Sequence, residues 1–251
     1  MKIRHEKFWA KIFATWALIV FVITLVLVAI LMFIIGIFRE PRRTEIFRRI
    51  SVVWIRTFLL LTGCSLKVIG RKNFIAGKNY IVTCNHNSFL DIPVVTPFIP
   101  GANKTIAKSE LARIPIFGLV YKRGSILVDR NDKKSKQDSY RKMKRVLEMG
   151  MHMCIYPEGT RNKTDLPLKS FHDGAFRLAI ETGTPIIPAI IFNTKKILPM
   201  GKSFYFWPGR IELHFLAPVF INEGDNYEDL REKIHHIMSD YYSSRADKIR
   251  V

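Results

Sequence analysis

The sequence predicts an α/β domain, a sheet covered by helices, set behind an N-terminal membrane anchor. Three observations lead there. From Ile12 to Phe38 the chain carries no charged residue. After Gly63, short apolar runs bounded by turn residues alternate with stretches of helical spacing, the pattern of a sheet layered with helices. With 251 residues, 48% of them hydrophobic, the chain can bury one good-sized core and is too apolar for a disordered one.

The run "IFATWALIVFVITLVLVAILMFIIGIF" makes roughly 40 Å of helix at about 1.5 Å per residue. That exceeds a hydrocarbon core of roughly 30 Å. It is too long for a cleaved signal peptide, and "GIFREPRR" has no small-residue cleavage site. Pro41 marks a break. A second, amphipathic helix follows over about 43–62, with Arg48, Arg49 and Arg56 among Trp, Phe and Leu. It suits either a membrane interface or a cap on the domain core. Basic residues flank the first helix on both sides, so the positive-inside rule does not orient it. The expected division is an anchor over 1–62 and an α/β domain over 63–251. Spanning and one-leaflet arrangements of the anchor both remain open.

In the second part "SLKVIG" and "KNYIVTCN" read as strands. "SFLDIPVVTPF" reads as a short helix broken by Pro93 and Pro97. "KTIAKSEL" is a strand leading to a helix start, and "GSILVDR" a strand. "SKQDSYRKMKRVLEMG" has helical spacing with Gly150 as its stop. "MHMCIYPEGT" is a strand ending in a turn. "GAFRLAIETG" is a helix, "TPIIPAII" a buried strand, "RIELHFLAPVFI" a strand and "YEDLREKIHHIMSDYYSSR" a closing helix.

The net charge is +19, +7 of it on residues 1–62, and this favours a polyanionic partner or surface. The segment from Arg130 to Arg145 holds Lys133, Lys134, Lys136, Arg141, Lys142, Lys144 and Arg145. It is a solvated helix face or a dock for an acidic carrier protein or anionic lipid. No nucleic-acid motif is present. Cys64, Cys84 and Cys154 lie in apolar surroundings without metal-ligand spacing, which favours reduced thiols in a cytosol-facing protein.

Two segments carry polar chemistry. "NHNSFLD" places His86 and Asp91 five positions apart. Imidazole is the commonest general base near neutral pH, and a carboxylate fixes its tautomer. On a straight helix the two side chains would diverge by about 140°. The pair therefore requires His86 in a strand-to-helix turn and Asp91 on the helix, pointing back. A thiolate role for Cys84 is set aside, since no local charge lowers its pKa. In "YPEGTRN", Gly159 allows a sharp turn, and Arg161 offers a planar fork for phosphate or carboxylate.

These segments together resemble the glycerophospholipid acyltransferase family, which includes the 1-acyl-sn-glycerol-3-phosphate acyltransferases. The resemblance covers roughly residues 65–220. It rests on Asn85, His86 and Asp91, on the strand from Gly124 to Arg130, on Tyr156 to Asn162, and more loosely on Thr184 to Pro188. Tyr156, Asn162 and Thr184 depart mildly from the family pattern of Phe, Ser and Val. The resemblance implies a mixed, mostly parallel sheet flanked by helices, with an N-terminal helical pair in the membrane. It implies acyl transfer from an acyl thioester to the sn-2 hydroxyl of 1-acyl-sn-glycerol 3-phosphate (lysophosphatidic acid), with phosphatidic acid as product in phospholipid biosynthesis.

In this scheme His86 is the base and Asp91 orients it. Arg161, Lys108 and Arg130 hold the phosphate, and Glu158 and Thr160 shape the glycerol site. Backbone N–H groups near Gly159 are candidates for the oxyanion. No acyl-enzyme, bound cofactor or metal is required, and the co-substrate is acyl-CoA or an acyl carrier protein thioester. The expected location is a membrane (the inner membrane if the source is bacterial), with the catalytic domain facing the cytoplasm. Two alternatives remain: another lysolipid as acceptor, such as a lyso-ornithine lipid or other lysophospholipid, and a non-enzymatic, membrane-tethered module binding anionic lipid or nucleic acid.

Overall fold

The computed structural model describes residues 2–164, 166–202 and 204–249. Helix α1 (Lys2–Ile35) and helix α2 (Arg42–Leu61) lie against each other ahead of strand β1 (Ser65–Ile69). Strand β2 (Ile81–Cys84), helix α3 (Asp91–Phe98) and strand β3 (Asn103–Lys108) follow. Next come α4 (Phe117–Gly124), β4 (Ser125–Val128), α5 (Lys133–Glu148) and β5 (His152–Ile155). The chain then forms α6 (Gly174–Thr182), β6 (Ile186–Phe192), the single turn α7 (Thr194–Ile197), β7 (Arg210–Phe215) and α8 (Tyr227–Ala246).

The strands form one sheet in the order β1-β7-β6-β2-β5-β3-β4. Every pairing is parallel except β6 with β7. Alternate side chains build a core on each face. Val82, Cys84, Cys154, Ile187 and Ala189 pack with Trp54, Phe58 and Val95 of α2 and α3. Ile81, Met153, Ile186 and Ile190 pack with residues of α5, α6 and α8, among them Val146, Phe176 and Ile234. The carboxyl ends of β2, β3, β4 and β5 open on one edge, where open α/β sheets bind ligands.

Two local expectations change. The helix expected within 88–98 is not broken by its prolines: α3 runs through both. Pro93 sits in the first turn, where no intrahelical donor is needed, and Pro97 in the last. Helix α4 was not anticipated. It starts beside Ile116, whose φ is +61°, rare for a β-branched residue.

Helix α1 turns Ala10, Ala14, Ala17, Val28 and Met32 inward and leaves Phe8, Trp16, Ile23, Phe33 and Ile34 exposed. It is long and apolar enough to cross a membrane. Its inner side is fastened to α2, where the Trp54 indole N–H donates to Thr24 Oγ1 at 2.9 Å and the Trp16 N–H to the Leu61 carbonyl at 2.7 Å. At the α1–α2 corner Glu40 takes bonds from Arg43, Thr44 and Lys104. Burial raises its pKa, but those three donors outweigh it and hold the carboxyl at about 2.

His152 sets a pH dependence for the fold. Its Nδ1 accepts the Tyr80 N–H at 3.0 Å and its ring stacks on Tyr80. Burial pushes the imidazole down to about 4. The fold binds the neutral ring, whereas the unfolded chain takes up a proton near the ordinary histidine value of 6.5. This contribution is therefore complete above the unfolded pKa and is lost as pH falls from about 6.5 to about 4, by roughly 3 kcal/mol. Melting temperatures across that window should fall more steeply for the wild type than for His152→Gln. Parallel curves would remove His152 as the cause.

Candidate active site

Strand β2 ends in an unusual way. The Asn85 side chain continues the ladder to β6, donating to the Ile191 carbonyl at 3.0 Å and accepting the Ile191 N–H at 2.7 Å. His86 then lies in the turn, and Asp91 in the first turn of α3 reaches back to it. Nδ1 of His86 meets Asp91 Oδ2 at 2.8 Å. The same oxygen accepts the N–H groups of Asn87 at 2.5 Å and Ser88 at 2.7 Å. Oδ1 accepts the Thr194 hydroxyl at 2.6 Å. Asp91 is fully buried, and its four donors satisfy the carboxylate. With Nδ1 donating to a carboxylate, the neutral imidazole keeps its lone pair on Nε2. That atom can take a proton.

The Tyr156–Asn162 segment follows β5 and grips the backbone of His86. Glu158 Oε1 accepts the His86 N–H at 2.8 Å, and Oε2 the Lys169 N–H at 3.0 Å. The Asn162 N–H donates to the His86 carbonyl at 2.6 Å. Burial raises the Glu158 pKa, opposed by those two N–H groups. The Glu158 carboxylate thus faces backbone, as a tie between the two motifs. Gly159 has φ +70°, and a Cβ there would come 2.5 Å from His172 Cδ2. A side chain at this position meets both backbone strain and a clash. The N–H groups of Gly159 and Thr160 turn inward to Tyr156 O and Glu158 O. These two N–H groups are consumed by the turn, so neither of them faces an oxyanion. The His86 ring leans on the Tyr156 ring with centroids 4.5 Å apart.

Positive charge gathers on this edge. The Arg161 guanidinium lies over the Phe89 ring, 3.5 Å from its centroid. Its Nη1 is buried without a hydrogen-bond partner. Burial lowers the Arg161 pKa and Asp91 opposes the shift. Arg130 donates to the Gly159 carbonyl. Lys169 donates to Thr160 Oγ1 at 2.7 Å. Lys108, at the end of β3, is ion-paired with Glu110 at 2.8 Å. Phe89 also lines an apolar cavity of about 670 Å³ between α1, α2, α3 and α4, walled by Phe21, Trp54, Phe58, Phe117 and Phe206. Phe89, which lies between His86 and Asp91 in the chain, therefore has this hydrophobic chamber and the Arg161 guanidinium as neighbours.

Of the residues singled out in the sequence, His86, Asp91, Glu158, Gly159 and Thr160 interlock, with Arg161 and Arg130 beside them and Lys108 at the rim. Thr194, Lys169 and Phe89 were missed. An aromatic inside "NHNSFLD" was a signal for Phe89. Thr194 is 103 residues from its partner and had none. Cys84 is fully buried, and burial holds its thiol well above the ordinary range. Among the described residues no three His, Cys, Asp or Glu side chains are disposed to hold a metal ion.

A family model described as acyltransferase matches residues 65–192. The chain belongs to the acyltransferase family. Over 181 residues it is 34% identical to the 1-acyl-sn-glycerol-3-phosphate acyltransferase of Helicobacter pylori, covering 70% of this chain and 74% of that one. Over 186 residues it is 30% identical to the yeast (Saccharomyces cerevisiae) protein of the same description, covering 72% of this chain and 61% of that one. The chain thus spans about three-fifths of the yeast relative. The crystal structure of a 1-acyl-sn-glycerophosphate acyltransferase from Thermotoga maritima superposes with a TM-score of 0.80 at 22% identity, covering 98% of this chain and 99% of that one. That likeness is one of fold. It makes the mixed, mostly parallel sheet with its N-terminal apolar helix the acyltransferase architecture.

Proposed function

We propose that this acyltransferase moves a fatty acyl group from a thioester to the sn-2 hydroxyl of 1-acyl-sn-glycerol 3-phosphate, giving phosphatidic acid. The observation that carries the reading is the junction at Phe89. A proton acceptor, an unpartnered buried guanidinium N–H and an apolar chamber meet there. An acceptor with a hydroxyl, a phosphate and an acyl chain needs those three groups together.

His86 Nε2 removes the hydroxyl proton as the acceptor oxygen attacks the thioester carbonyl. Asp91 steadies the imidazolium that forms. The tetrahedral intermediate collapses with cleavage of the C–S bond, and the leaving sulfur takes the proton from His86. Arg161 binds the acceptor phosphate in bidentate fashion, with Arg130, Lys169 and Lys108 adding positive potential along the edge. Glu158 and Asn162 keep the His86 backbone in place, and the cavity receives an acyl chain.

The assay is single-turnover transfer from labelled acyl thioester in detergent micelles. Diacylglycerol phosphate should form from 1-acyl-sn-glycerol 3-phosphate. No product with this acceptor from folded protein would reject the assignment, and product with another lysolipid alone would move it to that acceptor.

The anchor works in one leaflet. Near its start α1 touches the catalytic domain through Glu6 with the Tyr205 hydroxyl at 3.2 Å and Phe13 with Trp207. Just past its end, Lys104 grips Glu40 at 3.0 Å. Between Glu6 and Gly36 the helix rises about 45 Å, more than the roughly 30 Å of a hydrocarbon core. A spanning α1 would need the same globular domain on both sides of the bilayer. Lying along the surface, it puts its exposed apolar face among lipid tails. The native cysteines are all buried, so single cysteines can be labelled selectively. In sealed vesicles an impermeant maleimide should reach Lys7→Cys and Lys233→Cys from the same side; opposite sides would mean that α1 spans.

A further inference from the structure

The Asp91 carboxylate is held unevenly. Oδ2 takes three hydrogen bonds, from His86, Asn87 and Ser88. All three donors belong to Asp91's own strand-to-helix turn. Oδ1 takes one, from the Thr194 hydroxyl at 2.6 Å. Both Asp91 and Thr194 are fully buried. An aspartate is free to swing about its last side-chain torsion, whose energy wells are broad. A carboxylate held on one oxygen pivots, whereas one held on both keeps its plane.

Thr194 is itself fixed from elsewhere in the fold. It opens α7 directly after β6. The preceding Asn193 has φ +69°, and its side-chain amide donates to the Arg210 carbonyl at 2.9 Å. At the other end of α7, the Leu198 N–H returns to the Thr194 carbonyl at 2.9 Å. The Leu198 carbonyl accepts the Ser88 hydroxyl at 2.8 Å. The α7 turn therefore clasps the 88–91 turn at two points. Leu198, Pro199 and Met200, which follow it, line the apolar cavity.

We infer that Thr194 is a positioning residue for the His86–Asp91 pair, locking the plane of the Asp91 carboxylate and joining it to β6 and the cavity wall. The inference rests on His86 acting as the base. The hydroxyl also draws negative charge toward Oδ1. Without it more charge falls on Oδ2, which faces His86, and the protonated imidazole gains stability. The base then stays protonated to higher pH.

The test is the pH dependence of kcat/KM for acyl transfer, with His86→Ala as control and the His86 ring titrated in parallel by NMR, which needs no turnover. In Thr194→Val the acid limb and the ring titration should both move to higher pH by about one unit. The kcat should fall about tenfold, with the KM for the acceptor within about twofold, as expected for one lost charge-assisted hydrogen bond outside the substrate site. Thr194→Ser keeps the hydroxyl and should restore both pH curves. Thr194→Ala carries the same expectations if the valine variant folds poorly. A hydroxyl that only stabilises the fold would lower the melting temperature and leave both pH curves in place; that result, or a serine variant that behaves like valine, overturns the inference. If His86→Ala turns over as fast as wild type, the general-base reading fails instead, and the ring titration still reports whether Thr194 acts on His86.

Discussion

Replacing His86 with alanine should lower the single-turnover rate of acyl transfer by about a thousandfold, within the range for loss of a positioned general base. The loss should fall on the chemical step. The His86 backbone is gripped by Glu158 and Asn162 whatever side chain it carries. Asp91 keeps the N–H groups of Asn87 and Ser88 and the Thr194 hydroxyl, so no buried carboxylate is left unsatisfied. The melting temperature should change by only a few degrees, and acceptor binding, measured by equilibrium dialysis, by less than about threefold. Equal rates for wild type and variant would remove His86 from the chemistry.

The second large effect concerns Arg161. Truncating it to alanine should raise the KM for a phosphate-bearing acceptor by about 30- to 100-fold, the worth of a charge-assisted bidentate pair. For an uncharged monoacylglycerol the change should stay within about threefold. The reason is the state of the guanidinium: stacked on Phe89, partly withdrawn from water, with one N–H unpartnered. A buried cationic donor without a partner is stabilised by an anion far more than a solvated one is. Arg161→Lys should recover only part of the loss, because an ammonium group cannot offer a planar fork. Equal losses with both acceptors would mean that Arg161 maintains the loop rather than binding phosphate.

Much of the architecture was legible because its signals are local. The apolar run of α1, the alternation of short strands with periodic helices, and the Asn85–Asp91 and Tyr156–Asn162 segments can be read without knowing what touches what. The missed elements are short. Helix α4 has eight residues and α7 four, below the length at which periodicity distinguishes a helix from a loop. The orientation of Glu158 was equally hidden. A carboxylate in a basic neighbourhood reads as a substrate contact, yet its two oxygens are taken by the N–H groups of His86 and Lys169.

What the sequence by itself determined is the class of the domain, the long apolar N-terminal helix, and the residue types and spacing of a histidine–aspartate pair and a nearby arginine. These follow from composition, periodicity and near-neighbour spacing, together with resemblance to the acyltransferase family. Only the tertiary structure decided which oxygen of Asp91 faces His86, that Thr194 holds the other, that Arg161 rests on Phe89 beside an apolar chamber, and that both ends of α1 meet the catalytic domain. Each of these depends on contacts between residues far apart in the chain. Such contacts are set when the two faces of the sheet are packed, and they leave no periodic trace in the order of the residues.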